Sequence, residues 1–463
     1  MDDVQVATKS IRERLLVLDQ RLQDARDNDS FWVLVKNAWL VEVSQNGLEK
    51  AIRSQARDYL REMRTIRSKI EKIDEKTCVE KLHETLRQAW KDYGEIQDKS
   101  RMLLRNCIEV LGGLMFRCLH ACQFTHECEA ILPQDTMKAC HAMQKSCRRL
   151  SGATGGVCQI VQNEICRISD GFAKECSGLL HVGTLAPAMP AYSESRMHTS
   201  GRIVRLHFPD WAIWAVPLTA YDVANIALSD PDDGYKAEIE KYKKKWERVA
   251  RKDIRYVFKL LTDALAIHTI GPSYAQALIR LQFNPSRAMT EDKNSPSEAV
   301  RAQVMFDVLN PKKSETGRQQ GEDYSDVPEK LKKFWESLLR GVGVSEDSFY
   351  PLKEDEEKLF HEIWDKVKKD LPTVAGYLKS SIPKSQVTGW SSVTSYTEQW
   401  FSMNFASENV DGPSTLRDIL NTAWQCRTTD EEGIRLDSIA EVASSLCNKK
   451  INESRPSPPG KPV

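Results

Sequence analysis

At 463 residues, the chain is long enough for two or three domains with a sizeable buried core. Its 66 basic and 66 acidic side chains cancel and its pI is about 7.1, which argues against nucleic acid or an anionic membrane as a partner. Residues 1–16 lack the apolar core of a secretory signal, and no stretch approaches the roughly 18 apolar residues that span a bilayer, so we expect a cytoplasmic protein.

Residues 1–104 are predicted to form an array of long helices. Apolar residues recur there at alternating steps of three and four, a spacing typical of helices that pair in coiled coils or bundles. The three stripes are Ile11, Leu15, Leu18 and Leu22; Ala56, Leu60, Met63, Ile66, Ile70 and Ile73; and Val79, Leu82, Leu86, Ala89, Tyr93 and Ile96. They predict either a hairpin array within one chain or the seam of a dimer, and spacing alone does not choose.

Residues 105–182 form a cysteine-rich helical segment, since nine of the twelve cysteines lie between positions 107 and 176. Without a secretory signal the thiols should stay reduced, and their helical spacing among apolar residues favours ordinary core packing over a disulfide framework. A metal or redox site is the sharper alternative. Its candidates are Cys118 and Cys122, one helical turn apart, with His126 and Cys128 close behind.

Residues 183–310 form the next predicted domain, with little strand and several helices. In chain order it should contain a linker rich in Pro, Ala and Ser, one short strand and three helices, at 183–200, 203–207, 209–228, 235–267 and 273–283. A capping box is predicted to follow, in which Ser295 caps the next helix and Glu298 reaches back to the amide of that cap.

The helix at 209–228 has the spacing of a zinc site but not its ligands. Residues 221–225 read Tyr-Asp-Val-Ala-Asn where a zinc peptidase has His-Glu-x-x-His. The active motif places two imidazoles one turn apart, with a glutamate that activates a zinc-bound water. The phenol of Tyr221 and the carboxamide of Asn225 are poor zinc donors near neutral pH, and only Asp222 keeps a carboxylate.

The order of motifs from about 203 to 309 resembles a bacterial family of largely uncharacterised proteins with a zincin-like, metallopeptidase-type core. That family has a short strand, a Pro-Leu-x-Ala helix carrying the zinc motif, an acidic Ala-Asp-x-x-Ala helix, a Gly-Pro-Ala-Tyr-Ala segment and a His-Pro turn. This chain reads WAVPLTAYDVAN, TDALA, GPSYA and NSPSEAVR in the same order. The framework matches are Trp214, Pro217, Gly271, Pro272, Tyr274, Pro296 and Arg301.

The resemblance implies that the ligand positions are degenerate. Asp263 falls on the acidic position, which is a third metal ligand in the family, and Ser295 stands where the family has histidine. With every histidine position substituted, the resemblance implies a catalytically inactive pseudo-peptidase without zinc or another cofactor. The retained frame implies a protein-binding scaffold or regulatory component, in a bacterial defence or signalling system.

Two other functions remain open from the residues. A metal-dependent hydrolase could use replacement ligands such as His207 or His268, or the oxygens of Asp222 and Asp263 for Mg²⁺ or Ca²⁺. A coiled-coil assembly protein would instead associate with itself through residues 1–104. The bland alternative for the degenerate positions is a buried hydrogen-bond network.

The last third of the chain should be helical. Residues 311–326 are polar and are predicted to be a flexible insertion, residues 327–447 a C-terminal helical region, and residues 448–463 a disordered tail. His-Glu-Ile-Trp-Asp at 361–365 could bind a divalent ion, but the surrounding charge favours a solvated helix face. The fold class is therefore mainly α, with at most a short strand.

Overall fold

The structure of the chain is a computed structural model. The described residues are 2–27, 45–71, 80–100, 164–180, 186–191, 203–207, 212–229, 233–291, 295–310, 326–370, 390–405, 412–413, 415–429 and 435–453. The predicted mainly helical fold is confirmed for these residues. The cysteine-rich residues 105–163 and the predicted insertion at 311–325 lie outside them.

The helices are labelled in chain order. They are α1 Asp2–Asp27, α2 Gln45–Glu71, α3 80–100, α4 Glu164–Leu180, α5 Thr219–Ser229, α6 Asp233–Ala250, α7 Ile254–Ile270, α8 Pro272–Ala277, α9 Glu298–Leu309, α10 Val327–Gly341, α11 Glu354–Asp370, α12 Trp390–Ser402, α13 Leu416–Thr429 and α14 Leu436–Glu453. A 3₁₀ turn, Ile213–Leu218, leads into α5, and a π turn, Leu278–Gln282, extends α8. Among the described residues, no helix has the length and apolar character needed to cross a membrane.

Two strands form a small parallel pair, β1 Ala186–Ala191 and β2 Ile203–His207. The strand predicted at 203–207 is confirmed, but the prediction of a single strand is wrong because β1 lies in the stretch taken as a linker. Its sequence, Ala-Pro-Ala-Met-Pro-Ala, contains two prolines, which are uncommon in strands. Proline is tolerated here because both strands of a two-stranded sheet are edge strands.

The chain divides into two compact units. Unit 1 comprises Met1–Arg167, Ala186–Trp211 and Gly341–Gly343, and unit 2 comprises Ile168–Leu185, Ala212–Arg340 and Val344–Val463. The described helices of unit 1 are α1, α2, α3 and the start of α4, and the remaining helices belong to unit 2, apart from Gly341 at the end of α10.

The described helices α1, α2 and α3 of unit 1 pack as a bundle. Its helices are joined by the pairs Arg67–Asp19 (3.3 Å), Lys69–Asp92 (3.1 Å) and Lys99–Glu62 (3.2 Å), and by Arg14 over the ring of Trp90 (4.8 Å). The order of these pairs along α2 and α3 makes those two helices antiparallel. Every described residue of the three apolar stripes is at most 3% exposed. The stripes are therefore covered within one chain, which favours the hairpin array over a dimer seam.

The core of unit 2 forms around α7, which is buried on nearly every side and contacts α5, α6, α9 and α11. A helix that is apolar all round is typical of such a central position. On another side of the unit, α13 packs against α12, α14 and the 3₁₀ turn before α5. The segment around α5 is thus held between α7 and α13.

Two predicted helix boundaries in unit 2 are wrong. The charged helix expected at 235–267 is two helices, because the left-handed backbone of Arg251 (φ 54°) breaks it and Asp253 caps α7 by accepting a hydrogen bond from Arg255 N at 2.9 Å. The final helix extends to Glu453, so residues 448–453 are helical rather than disordered. In the added turns, Ile451 is half-buried and packs beside Gly171 of α4, which accounts for the extension.

Candidate functional site

The motif helix α5 is anchored by the 3₁₀ turn in front of it. Pro217 is buried in that turn, and Thr219 Oγ1 donates a hydrogen bond to Val216 O at 2.8 Å. Proline suits this position because its fixed φ is compatible with the first turn of a helix. The predicted framework role of Pro217 thus has a local structural basis.

Trp214 anchors the same turn to α13. Its ring meets Trp424 edge to face at 5.5 Å, and the guanidinium of Arg427 lies over both rings, at 4.8 Å from Trp214 and 4.9 Å from Trp424. Each cation–π contact of this kind contributes about 0.5–1 kcal/mol where the cation is exposed to water. The framework tryptophan therefore fixes the start of α5 against a second element.

The framework pair Gly271-Pro272 makes the sharp turn from α7 into α8. Gly271 has φ 82° and ψ −159°, a backbone region that only glycine occupies without strain, and Pro272 takes the first helical position of α8. Asn421 of α13 braces the turn, since its Oδ1 accepts from Ser273 N at 3.0 Å and its Nδ2 donates to Ile270 O at 2.7 Å. This geometry explains why the turn carries these two residues.

Asp263 is the centre of the candidate site and is 0% exposed. Arg301 grips both of its carboxylate oxygens, with Nε donating to Oδ2 at 2.8 Å and Nη2 donating to Oδ1 at 2.9 Å. Tyr274 OH donates to Oδ1 at 2.5 Å. The Arg301 guanidinium also lies 5.8 Å from the ring of Tyr221 and 5.3 Å from that of Phe283. The structure thus joins the first motif position, the acidic position and two framework residues.

The electrostatics of this cluster keep Arg301 charged and Tyr274 neutral beside Asp263. Burial alone would lower the pKa of Arg301, but the charge and hydrogen bonds of Asp263 more than offset it and raise that pKa well above its usual range. Burial raises the pKa of Tyr274, and the negative charge of Asp263 adds to the shift. Arg301 therefore stays charged and Tyr274 stays a neutral donor throughout the neutral pH range.

A metal ion at Asp263 would have to compete with Arg301 and Tyr274 for the carboxylate oxygens. The bidentate pair uses one lone-pair direction on each oxygen, and Tyr274 takes a second on Oδ1. A guanidinium held beside the site also repels an incoming divalent cation. The cluster can orient side chains and stabilise packing, and as arranged it is a poor metal site.

The remaining motif positions lie on the same elements. Asp222 is fully buried on α5, and Asn225 is half-buried one turn beyond Tyr221. Their predicted joining to Asp263 in one hydrogen-bond network stays a prediction. Ser295, half-buried before α9, accepts a hydrogen bond from Lys259 Nζ at 2.9 Å, and Lys259 lies one turn before Asp263 on α7. A second positively charged side chain, that of Lys259, therefore contacts the position where the family has histidine.

The predicted capping box is wrong by two residues. The cap of α9 is Ser297, whose Oγ accepts from Val300 N at 3.3 Å, and not Ser295. Glu298 accepts from Asn284 N at 2.5 Å instead of reaching back to the cap amide. Pro296 is buried just before this cap. The error arises because either serine satisfies the local capping pattern, and the tertiary contact of Glu298 decides between them.

The structure places the two proposed replacement histidines on different elements. His268 meets the ring of Trp364 of α11 edge to face at 5.9 Å. His207 is the last residue of β2 and belongs to unit 1. Nothing observed therefore favours these residues as replacement ligands.

The cysteine candidates for a metal or redox site, Cys118, Cys122, His126 and Cys128, lie outside the described residues. The described cysteines Cys176, Cys426 and Cys447 are buried. Burial raises the pKa of the Cys426 thiol to about 12, although a hydrogen bond with Thr397 opposes the shift. These thiols are therefore packing residues, as the sequence favours for the whole group.

The sequence does not predict two clusters of polar side chains that the structure contains. Unit 1 has a cavity of about 420 Å³ between α1 and α2, lined by Arg26, Asp27, Arg57, Leu60, Arg61 and Arg64. Unit 2 gathers Asp307, Glu357 and His361, with one candidate ligand atom from each within 4.8 Å of the others. The helical spacing of the arginines on α2, and that of Glu357 and His361, is visible in the sequence. The contribution of Asp307, 50 residues away from Glu357 along the chain, is not.

Comparisons with protein-family models, with curated proteins and with solved structures find no match to this chain. The resemblance of residues 203–309 to a zincin-like core thus stays a prediction from its motifs.

Proposed function

We propose that this protein is a catalytically inactive, zincin-like pseudo-peptidase that acts as a scaffold or regulatory component by binding another protein. The observation that carries the proposal is the buried pairing of Asp263 with Arg301. A functional metal site of this type needs its acidic ligand open to the ion, together with imidazole donors. Here the acidic position is neutralised by an arginine of the same core.

The chemistry of the other positions supports the same proposal. Tyr221 lies near the Arg301 guanidinium, and Ser295 is held by Lys259. Two of the substituted positions, Tyr221 and Ser295, therefore lie beside protein cations. A phenol and a hydroxyl in place of imidazoles keep the packing of the core while removing the donors that would hold an ion and its activated water.

The retained framework supports a function that depends on shape. Trp214, Gly271 and Asn421 each fix one junction between α5, α7, α8 and α13 through specific contacts. A chain that had lost all use of this core would be free to lose these junctions as well. The protein partner is proposed on the same ground, and a bacterial defence or signalling system is the setting that the resemblance suggests.

The proposal is tested on the full-length chain with the variant Asp222→Asn, which removes the charge of the remnant carboxylate and keeps its shape. Hydrolysis of unfolded casein and of a mixed peptide library is measured with Zn²⁺ or Mn²⁺ present. In parallel, cross-linking in the cells that naturally express the protein identifies its bound partners by mass spectrometry. We expect no metal-dependent hydrolysis by either form, and the same cross-linked partner for both.

Hydrolysis by the wild-type chain that is lost in Asp222→Asn would contradict the proposal and favour the metal-dependent hydrolase. Failure to cross-link any protein would contradict the scaffold part of the proposal. The rival reading as a coiled-coil assembly protein predicts that a second copy of the chain is the main cross-linked species. The buried stripes of unit 1 disfavour that result, since they are already covered within one chain.

A further inference from the structure

A cluster of mixed ligands lies where the last turn of α9 meets the first half of α11. His361 Nε2 is 3.9 Å from Asp307 Oδ2 and 4.0 Å from Glu357 Oε1. All three candidate ligand atoms lie within 4.8 Å of one another. Glu357 and His361 are four residues apart on α11 and therefore share one helix face.

This arrangement differs from the motif visible in the sequence. The pattern at 361–365 suggested His361 with Glu362 and Asp365, but Glu362 forms an ion pair with Lys245 of α6. The buried residues Leu359, Phe360 and Ile363, which are at most 3% exposed, fix the rotation of α11. That rotation turns His361 towards Asp307 and Glu357. The carboxylates near His361 therefore come from Glu357, one turn earlier on α11, and from Asp307 on α9.

The elements that carry the three ligands are tied together. Gln303, one turn before Asp307 on α9, accepts a hydrogen bond from Leu352 N at 3.1 Å through its Oε1. Leu352 lies two residues before the start of α11 and is 7% exposed. The two helices therefore hold their ligand positions in a fixed relation before any ion binds, which is what an effective metal site needs.

The chemistry of the three groups suits a transition metal. One imidazole nitrogen and two carboxylates form a donor set that binds zinc and its neighbours in the first transition row. Bonds of about 2.0–2.2 Å to a tetrahedral ion would place the ligand atoms about 3.3–3.6 Å apart. The observed distances of 3.9 and 4.0 Å from His361 Nε2 need closure by less than about 1 Å, and the remaining pair of ligand atoms, within 4.8 Å, needs at most about 1.5 Å; side-chain rotation supplies these movements.

The exposure of the three side chains fits an ion with an open position. Asp307 is 9% exposed, whereas Glu357 and His361 are 28% and 34% exposed. Asp307 thus forms the inner wall, and the other two ligands stand at the mouth of the site. Two carboxylates held this close repel each other, and a divalent ion between them converts that repulsion into attraction. Water can complete the coordination from the open side.

We propose that Asp307, Glu357 and His361 bind one divalent transition-metal ion, of the class that includes Zn²⁺ and Co²⁺, and that the ion clamps α9 to α11. The site is separate from the cluster at Asp263, so it stands or falls independently of the proposed scaffold function. Binding adds a link between two helices of the folded state only, and therefore raises the unfolding temperature of unit 2.

The experiment uses the full-length protein, freed of metal by a chelator and titrated with Co²⁺. Equilibrium dialysis gives the stoichiometry and affinity, and the absorption spectrum reports the ligands, because cobalt bound by cysteine thiolates shows a sulfur-to-metal charge-transfer band. Three variants each remove one ligand with little change of shape: Asp307→Asn, Glu357→Gln and His361→Gln. The matched control is Glu362→Gln, which lies on the same helix next to His361.

We expect one equivalent of Co²⁺ bound without a thiolate band, with at least a tenfold loss of affinity in each ligand variant and none in the control. Circular dichroism without metal checks that each variant is folded, and the rise of unfolding temperature on adding Co²⁺ should vanish in the three ligand variants alone. The proposal is overturned if the only bound cobalt shows a thiolate band. It is equally overturned if the ligand variants bind as well as the wild-type chain, or if Glu362→Gln loses as much affinity as they do.

Discussion

Replacing Arg301 with methionine should be strongly destabilising, because it leaves the Asp263 carboxylate buried without its cation. Asp263 is 0% exposed, and Arg301 supplies two of its three hydrogen bonds, at 2.8 and 2.9 Å. Breaking a buried ion pair by removing one partner costs about 3–5 kcal/mol. Since the Arg301 side chain is 20% exposed, some water can reach the gap, and we expect a loss at about 3 kcal/mol, the lower end of that range.

A second substitution separates buried charge from lost packing. Adding Asp263→Asn to Arg301→Met removes the stranded charge while Tyr274 keeps an acceptor, so the double variant should be more stable than Arg301→Met alone. The assay is urea unfolding at pH 7, followed by the fluorescence of the buried tryptophans of unit 2. Lys333→Met, which breaks an exposed ion pair with Glu329, is the control and should change nothing measurable.

If Arg301→Met is as stable as Lys333→Met, the buried Asp263 carboxylate does not depend on the Arg301 cation. The same conclusion follows if the double variant is less stable than the single one, since the loss would then come from packing and not from an unpaired carboxylate.

The other predictions concern a turn, a carboxylate and a thiol. Gly271→Ala should lower the free energy of unfolding by about 1–3 kcal/mol, because its φ of 82° and ψ of −159° strain any side chain. Gly178→Ala, in a helix with open space around the new methyl, should raise it by about 0.5–1 kcal/mol, and equal effects in denaturant unfolding would contradict the turn argument. Burial raises the pKa of Glu175 above its ordinary 4.5, although the backbone amides of Leu416 and Arg417 donate hydrogen bonds to its carboxylate. The contribution of Glu175 to the free energy of unfolding is therefore full below pH 4.5 and is lost as the pH rises through the raised pKa. Wild type should therefore lose stability relative to Glu175→Gln between pH 4 and pH 7, and a constant difference would show that the pKa is not raised. Cys426 should resist alkylation at pH 8 in the native protein and react after unfolding, as peptide mass spectrometry would show; rapid native modification would contradict its burial.

The parts of the fold that could be predicted are those whose information is local and periodic. Leu15, Leu60 and Leu86 belong to stripes repeated over several turns, and the bundle buries all of them. The break between α6 and α7 escapes prediction because Arg251 to Asp253 contains no glycine or proline, and one aspartate cap decides it. Strand β1 is not predicted because its two prolines are typical of loops rather than strands.

The candidate site could be located from the sequence but its chemistry could not. Asp263, Tyr274 and Arg301 were recognisable one by one as the acidic position and two framework positions, since each sits in its own short motif. Their mutual pairing spans 38 residues between Asp263 and Arg301 and depends on how α7 and α9 pack. Spacing along a chain carries no information on such a contact, and the same holds for Asp307 and His361.

The proposed pseudo-peptidase requires that the motif helix α5 and the acidic position Asp263 hold no metal. The most direct measurement is an anomalous difference map, recorded at the zinc absorption edge from crystals of the full-length protein grown with Zn²⁺. We predict no peak within bonding distance of Asp222, Asn225 or Asp263, with the Arg301 guanidinium still on Asp263. A strong peak bonded to any of these three side chains, with Arg301 displaced, would show that the core holds a metal and is not that of a pseudo-peptidase.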